Sequence, residues 1–291
     1  MMSSTKEDSS KLGQFIPLHY HANMLRDNAR MTGFKQAIEK VVPQGGKVVE
    51  LGGGTGVLSF FAAHRASKVW CVEKNPEMVQ AARRLLALNP FAEKIEVVEA
   101  DAMTFLPSEP IDAVVCEMLH SALLREKQVE VIDGFKRAYA QRFEKLPIFI
   151  PEAVILAVQP VHQNFKFQGY YAPVPMFYDP LVASDETQGL GDPVNYNMFF
   201  YAQELPKQFT CELEMPIHAG GTVNALRFIT KNVLAALVAE NCTVDWFSQY
   251  LVLPLFSPIV VQKGDAVRVR FQYQPGDSIE TLTRSIAAVK K

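Results

Sequence analysis

Val48-Val49-Glu50-Leu51-Gly52-Gly53-Gly54-Thr55-Gly56-Val57-Leu58 reads as a short strand, a tight glycine turn and the first turn of a helix. Glycines suit such a turn because the backbone must reverse sharply and leave room for a ligand where Cβ atoms would stand. The flanking sequence repeats the strand–helix grammar. A helix is expected over 23–42, ended by Pro43-Gln44-Gly45-Gly46, then strand Lys47–Leu51 and helix 57–65. Strand 68–72, helix 76–88 capped by Asn75 with Pro76 in its first turn, and strands Ile95–Glu99 and 111–116 follow. Strands alternating with helices of this length predict an α/β fold, a Rossmann-like parallel sheet with helices on both faces.

Near Pro147 the grammar changes. Prolines multiply and strands are expected at 153–158, 208–215, 250–255, 260–261 and Ala266–Tyr273, with turns at Lys263-Gly264-Asp265 and Pro275-Gly276-Asp277. The expected organisation is a disordered lead-in over 1–18, a ligand-binding α/β domain over 19–149, and a mostly antiparallel, β-barrel-like domain over 150–291. The aromatic-rich stretch 165–201 reads as an arm or surface excursion. The 291 residues are 48% hydrophobic and carry a net charge of −2, which gives no electrostatic footprint for nucleic acid. No apolar run reaches membrane-spanning length. Cys71, Cys116, Cys211 and Cys242 lack metal spacing and read as reduced thiols of a cytoplasmic protein, with no metal site.

A G-x-G-x-G turn alone is compatible with NAD, FAD or S-adenosylmethionine. Three features narrow it. Glu50 precedes the glycines, where a dinucleotide fingerprint would run on to a third glycine near the pyrophosphate. The loop has no Walker lysine. Glu73, followed by Lys74, ends the next strand about twenty residues on, where a carboxylate can accept both ribose hydroxyls. Asp101-Ala102-Met103 ends the strand after that, where an adenine ring commonly lies. Together these resemble the class I S-adenosylmethionine-dependent methyltransferases. The resemblance implies S-adenosylmethionine as cofactor, held by Glu50, Gly52, Gly54, Gly56, Glu73, Lys74, Asp101, Ala102 and Met103.

Two glutamates, Glu117 and Glu126, stand nine residues apart in Cys116-Glu117-Met118-Leu119-His120-Ser121-Ala122-Leu123-Leu124-Arg125-Glu126. Two carboxylates facing one pocket suit a cation, and a planar guanidinium matches them edge-on. An exposed helix edge is the plain alternative. In the protein arginine methyltransferases a strand ends in Ser-Glu-Trp-Met-Gly-Tyr and a second glutamate follows at the same spacing. The helical segment His21-Ala22-Asn23-Met24-Leu25-Arg26-Asp27-Asn28-Ala29-Arg30 resembles the Met-Leu-Lys-Asp-x-x-Arg helix of that family, and Phe149-Ile150-Pro151-Glu152-Ala153 resembles its crossing into a β-barrel. The resemblance covers residues 19–160. It implies that Arg30 clamps the cofactor carboxylate with His21, Met24 and Glu117 nearby, and that Asp27, Glu117 and Glu126 serve catalysis on a guanidino group. It also implies a dimerisation arm after Phe165, hence a homodimer.

Two cations must meet in such a reaction, the sulfonium donor and a guanidinium with a pKa above about 12. A carboxylate pair offsets that repulsion and aligns one nitrogen for transfer. The pattern departs from the family on the acceptor side. The Thr-His-Trp loop of the family corresponds to Trp246-Phe247-Ser248, no histidine lies beyond residue 219, and His120 and Ser121 replace a glycine and a tyrosine. Trp246, Tyr170, Tyr171, Phe177 and Tyr178 are candidates for an acceptor pocket or for β-domain core. Three readings stay open: a guanidine methyltransferase acting on protein, peptide or free arginine; a methyltransferase for another small acceptor; and a silent cofactor-binding partner of another methyltransferase.

Overall fold

A computed structural model describes residues 16–182 and 185–291, so the lead-in expected over 1–18 lies outside the described residues except for its last three. Two helices, α1 (Leu18–Arg26) and α2 (Asn28–Val41), stand where one was expected over 23–42. Asp27 explains the break: its backbone leaves the helical region and its carboxylate accepts the Arg30 N–H at 2.9 Å, capping α2. α2 buries Phe34, Ala37 and Ile38, whereas α1 buries no residue.

Then follow β1 (Lys47–Leu51), α3 (Val57–Ala63), β2 (Lys68–Glu73), α4 (Pro76–Leu86), β3 (Ile95–Glu99), β4 (Ala113–Cys116), α5 (Gln128–Ala140) and β5 (Ile148–Ile150). The five strands form a parallel sheet in the order β3-β2-β1-β4-β5. The direction of winding reverses between β1 and β4, whose last residues, Leu51 and Cys116, are register partners. Gly52 and Glu117 therefore leave the sheet side by side at its switch point, the crevice where open α/β sheets bind ligands. Helix α5 was missed in the sequence reading, although Val129, Ile132, Phe135 and Tyr139 bury one face of it at helical spacing.

The rest of the chain is antiparallel: β6 (Ala153–Gln163), β7 (Lys166–Phe167), β8 (Tyr170–Tyr171), β9 (Met176–Tyr178), β10 (Thr187–Gly189), β11 (Val194–Phe200), β12 (Phe209–Pro216), β13 (Gly221–Leu237), β14 (Cys242–Phe247), β15 (Tyr250–Val261), β16 (Ala266–Tyr273) and β17 (Ala287–Lys290), with α6 (Ile279–Ser285) before the last. The 17-residue β13, absent from the sequence reading, is the spine of this part and pairs with β6, β14 and β15. Its pairing shifts register at Val223/Ala225 and again at Val233/Ala235, which breaks the alternation that marks a strand. β15 joins the two pieces expected at 250–255 and 260–261.

One hydrophobic core runs from the parallel sheet (Val48, Val114) through to Phe228 and Phe271. Gly33 lets α2 approach closely: a Cβ there would lie 3.0 Å from Leu234 Cδ1 and 3.7 Å from Trp246 Cβ. Phe228 is fully buried and packs edge-on against Phe271, with ring centroids 5.2 Å apart. Phe228→Ala is expected to cost about 3–5 kcal/mol, read as a lower midpoint of chemical denaturation at unchanged slope.

Candidate active site at the sheet switch point

The glycine turn, the ends of β1, β2 and β4, and helix α1 enclose a cavity of ≈ 190 Å³. Gly52 and Gly54 have φ of +77° and +53°. A Cβ at Gly52 would stand 2.9 Å from Met118 Cγ, and one at Gly54 2.9 Å from His21 Cε1. These two positions thus need glycine for both conformation and space. Glu73 ends β2 with its carboxylate held by the backbone N–H groups of Gly54 (3.0 Å) and Asn75 (2.8 Å). Asp101 accepts the Met103 N–H at 3.0 Å and pairs with Lys74 at 2.8 Å.

The cavity is lined by His21, Met24, Glu50, Gly52, Gly54, Glu73, Lys74, Asp101, Ala102, Met103 and Glu117, which the sequence reading had singled out. Gly56 does not line it. This glycine, at φ +81°, turns the chain into α3 against Leu86. Glu50 is 3% exposed and accepts the Ser59 N–H at 2.9 Å together with the Ser59 hydroxyl, which ties β1 to α3. Burial pushes its carboxyl up to about 8. His21 is held below its ordinary range by burial, against the opposing pull of Glu73. Wall residues missed from the sequence include Met31, Met78 and Val131, which come from helix faces that carry no motif, and Met118, which lies between the two acids.

A larger open groove of ≈ 1010 Å³ lies beyond, between α1, α2, β9 and the end of β14. Ile16, Met24 and Glu126 line both spaces. Asp27 and Arg30 line the groove, and Arg30 stands beside Glu117 of the cavity wall. Arg30 Nη1 lies 3.5 Å from Glu117 Oε2, and its Nε lies 3.6 Å from Asp27 Oδ2. Its Cζ sits 4.5 Å from the centre of the Trp246 ring. Among the described residues Nε and Nη1, both buried, meet no hydrogen-bond partner.

Both acids are partly buried rather than on a helix edge. Burial raises the Glu117 carboxyl, and Arg30 opposes the rise. Burial raises Glu126 as well, the charge of Glu117 adds to it, and Arg30 and Arg125 pull the other way. His120 faces the groove with its Nδ1 3.2 Å from the Ser121 carbonyl oxygen and its ring edge-on to Phe177, and burial pushes its imidazole down to about 4. Of the candidate aromatics, Trp246 and Phe177 line the groove. Tyr170 and Tyr171 are 74% and 54% exposed on β8, and Tyr178 bonds Gln163 and Glu186.

The loop between the acids is strained. Ala122, Leu123 and Arg125 have φ of +56°, +55° and +62°, each costing about 1–2 kcal/mol for a side-chain-bearing residue. Bonds from the β-rich part offset that cost. Thr230 Oγ1 takes the Ala122 N–H at 2.7 Å, the Tyr273 hydroxyl donates to the Ala122 carbonyl at 2.9 Å, and the Ser121 hydroxyl donates to the Gln249 carbonyl at 2.5 Å. The Gly276 N–H reaches the Leu123 carbonyl and the Arg125 N–H reaches the Asp277 carbonyl, both at 2.8 Å.

A testable consequence concerns Glu50. Its folded-state pKa lies above the unfolded value of about 4.3, so between those values the native chain keeps a proton the unfolded chain has lost. Stability conferred in acid should therefore fall as pH rises from 4.5 towards 8, and Glu50→Gln should flatten that fall in melting temperature.

A methyltransferase-domain profile matches residues 48–141. An uncharacterized protein of Methanocaldococcus jannaschii is 28% identical over 273 residues, which make up 94% of this chain and 98% of that one. Protein arginine N-methyltransferase 6 of Xenopus laevis is 28% identical over 165 residues, 55% of this chain and 47% of that protein. Among solved structures, a chain of the Trypanosoma brucei PRMT1 enzyme–prozyme heterotetrameric complex with AdoHcy superposes with a TM-score of 0.73 at 18% identity, covering 94% of this chain and 98% of that one, a likeness of fold. Fold and relatives agree, and the chain is a class I S-adenosylmethionine-dependent methyltransferase that resembles the protein arginine methyltransferases.

Proposed function

We propose that this methyltransferase transfers a methyl group to a guanidino nitrogen, of arginine in protein, peptide or free form, and that Glu117 and Glu126 hold the cationic acceptor. The observation that carries this reading is the placing of both acids where the glycine-turn cavity meets the open groove. Glu117 lines the cavity and Glu126 lines both spaces. An arginine-methyltransferase relative supports the acceptor class.

The residues fit the cofactor. The turn at Gly52 and Gly54 leaves a cradle that Cβ atoms would fill, and Glu73 is pre-oriented to accept ribose hydroxyls. Asp101, Ala102 and Met103 form the adenine side and Lys74 steadies Asp101. Glu50, with its raised carboxyl, acts by joining β1 to α3 rather than by charge. When bound, S-adenosylmethionine supplies an electrophilic methyl group on a sulfonium.

The acids have three tasks. They offset the repulsion between two cations, fix the orientation of one guanidine nitrogen, and receive the proton that this nitrogen loses. A carboxyl raised by burial and by a neighbouring charge is a stronger base than an exposed one, which suits Glu126 to the last task. Arg30 and Asp27 complete the charge balance around Glu117.

Transfer from labelled S-adenosylmethionine to free arginine, an arginine-rich peptide and a panel of small amines tests the reading. Guanidine acceptors should be methylated, and Glu126→Gln should lower turnover by about 10²-fold or more while S-adenosylhomocysteine binding persists. Near wild-type turnover in that variant, or transfer to amines alone, would sink the assignment. Phe167, Tyr170 and Tyr171 present exposed aromatic surface on the β7–β8 hairpin, which supports a homodimer. Light scattering at micromolar concentration should give twice the chain mass, and a monomer would exclude it.

A further inference from the structure

The charge lining the open groove is not matched to a single cation. Asp27, Glu126, Asp179 and Asp245 line it together with Arg26, Arg30 and Arg125. Three of these four acids are engaged within the chain: Asp27 pairs with Arg30, Asp245 pairs with Lys231 at 2.8 Å, and Asp179 accepts the Leu181 N–H at 2.8 Å. Arg30 is engaged as well, by Asp27 and by Glu117. Arg26 and Arg125 are exposed, and among the described residues neither side chain meets an ion-pair or hydrogen-bond partner. Arg125 is nonetheless firmly placed. Its φ of +62° would come more easily to a glycine, and its N–H is held by the Asp277 carbonyl at 2.8 Å. Burial and Glu117 raise the neighbouring Glu126 carboxyl, and Arg125 joins Arg30 in drawing it the other way. His120, the remaining basic group of the groove, is kept neutral at pH 7 by burial, with Arg125 also opposing its protonation.

Cations in the groove that receives a guanidinium work against an acceptor that brings only positive charge, which both arginines repel. An acceptor that also brings a carboxylate turns the same two charges into charge-assisted bonds, and an arginine fork matches a carboxylate in a two-pronged way. Arg125 and Glu126 are adjacent in the chain, with Cα atoms about 3.8 Å apart. That closeness suits a molecule as short as arginine, with a cation at one end and an anion at the other. We propose that the acceptor is a free guanidino acid of arginine's kind, whose carboxylate is received by Arg125 together with Arg26 while Glu117 and Glu126 hold its guanidinium. A peptide offers neutral amides in place of that carboxylate unless an acidic side chain flanks its arginine. This inference rests on the guanidine-methylation reading and narrows its acceptor to the free form.

The test compares acceptors that share the guanidine and differ at the other end, on the full chain with labelled S-adenosylmethionine. Free arginine should be methylated with a kcat/KM about 10²-fold above that of agmatine, which keeps the guanidine and the amine but lacks the carboxylate, each lost arginine–carboxylate bond corresponding to about tenfold. Argininamide, whose carboxyl is neutral, should behave like agmatine. In Arg125→Gln the arginine-to-agmatine ratio should fall about tenfold, through KM for arginine, and in Arg26→Gln/Arg125→Gln it should approach unity. Arg125→Lys, which keeps the charge, should retain most of the ratio. A loop merely damaged by these substitutions would lower both acceptors alike and leave the ratio where it was, and that result would overturn the proposal. So would agmatine or argininamide methylated as well as arginine by the unmodified chain, or a peptide preferred to free arginine, with or without an acidic residue beside its acceptor arginine. Absence of methylation of every guanidine would overturn the function and this inference together, whereas methylation of guanidines without regard to their carboxylate would overturn this inference alone.

Discussion

A loop with three side-chain-bearing residues in left-handed backbone does not stand on its own, and the placement of both acids depends on what holds it. The anchors are a threonine hydroxyl in the middle of β13, a tyrosine at the end of β16, and a turn just beyond it. Thr230 is fully buried and Tyr273 is 2% exposed, so solvent competes little for these bonds. A second chain of bonds fixes the start of the loop: Gln128 Nε2 donates to the Cys116 carbonyl at 2.8 Å, and the Tyr201 hydroxyl donates to Gln128 at 2.9 Å. The parallel sheet thus presents the acids, but the antiparallel part sets their geometry.

The same division governs charge. Glu117 leaves β4 at the switch point, and the cation that moderates it comes from α2 while the ring behind that cation comes from β14. Three elements distant in sequence meet there because Gly33 removes a side chain where α2 crosses β13 and β14. Burial around the acids favours their protonated forms, so an incoming cation has to displace a proton before it pairs with the charge.

What the sequence discloses follows from how local each cause is. The glycine turn was legible because φ above zero and close approach both demand glycine at Gly52 and Gly54. The strands β1 to β3 were legible from β-branched runs, and the spacing of the acids from a motif. Helix α5 carries its signal in Val129, Ile132, Phe135 and Tyr139, an apolar stripe at helical spacing directly after the acid loop. β13 is a different case: buried on both faces and bulged twice, it shows neither a clean period of two nor a helical stripe. Asp27 looked like a mid-helix residue because a cap and an interior aspartate differ only in backbone angles. Thr230, Gln249 and Tyr273 were beyond reach, since nothing local marks which hydroxyl or carbonyl will meet a loop over a hundred residues away.

Helix α1 walls the cavity and the groove through Met24, yet buries no residue of its own in the core. Its position therefore draws on the surfaces it faces rather than on a hydrophobic anchor. By linkage, a ligand that contacts this helix in its docked form adds to its stability by RT ln(1 + [L]/Kd). Docking of the first helix and occupancy of the site are two descriptions of one equilibrium, in which the ligand supplies part of the interior that the helix lacks.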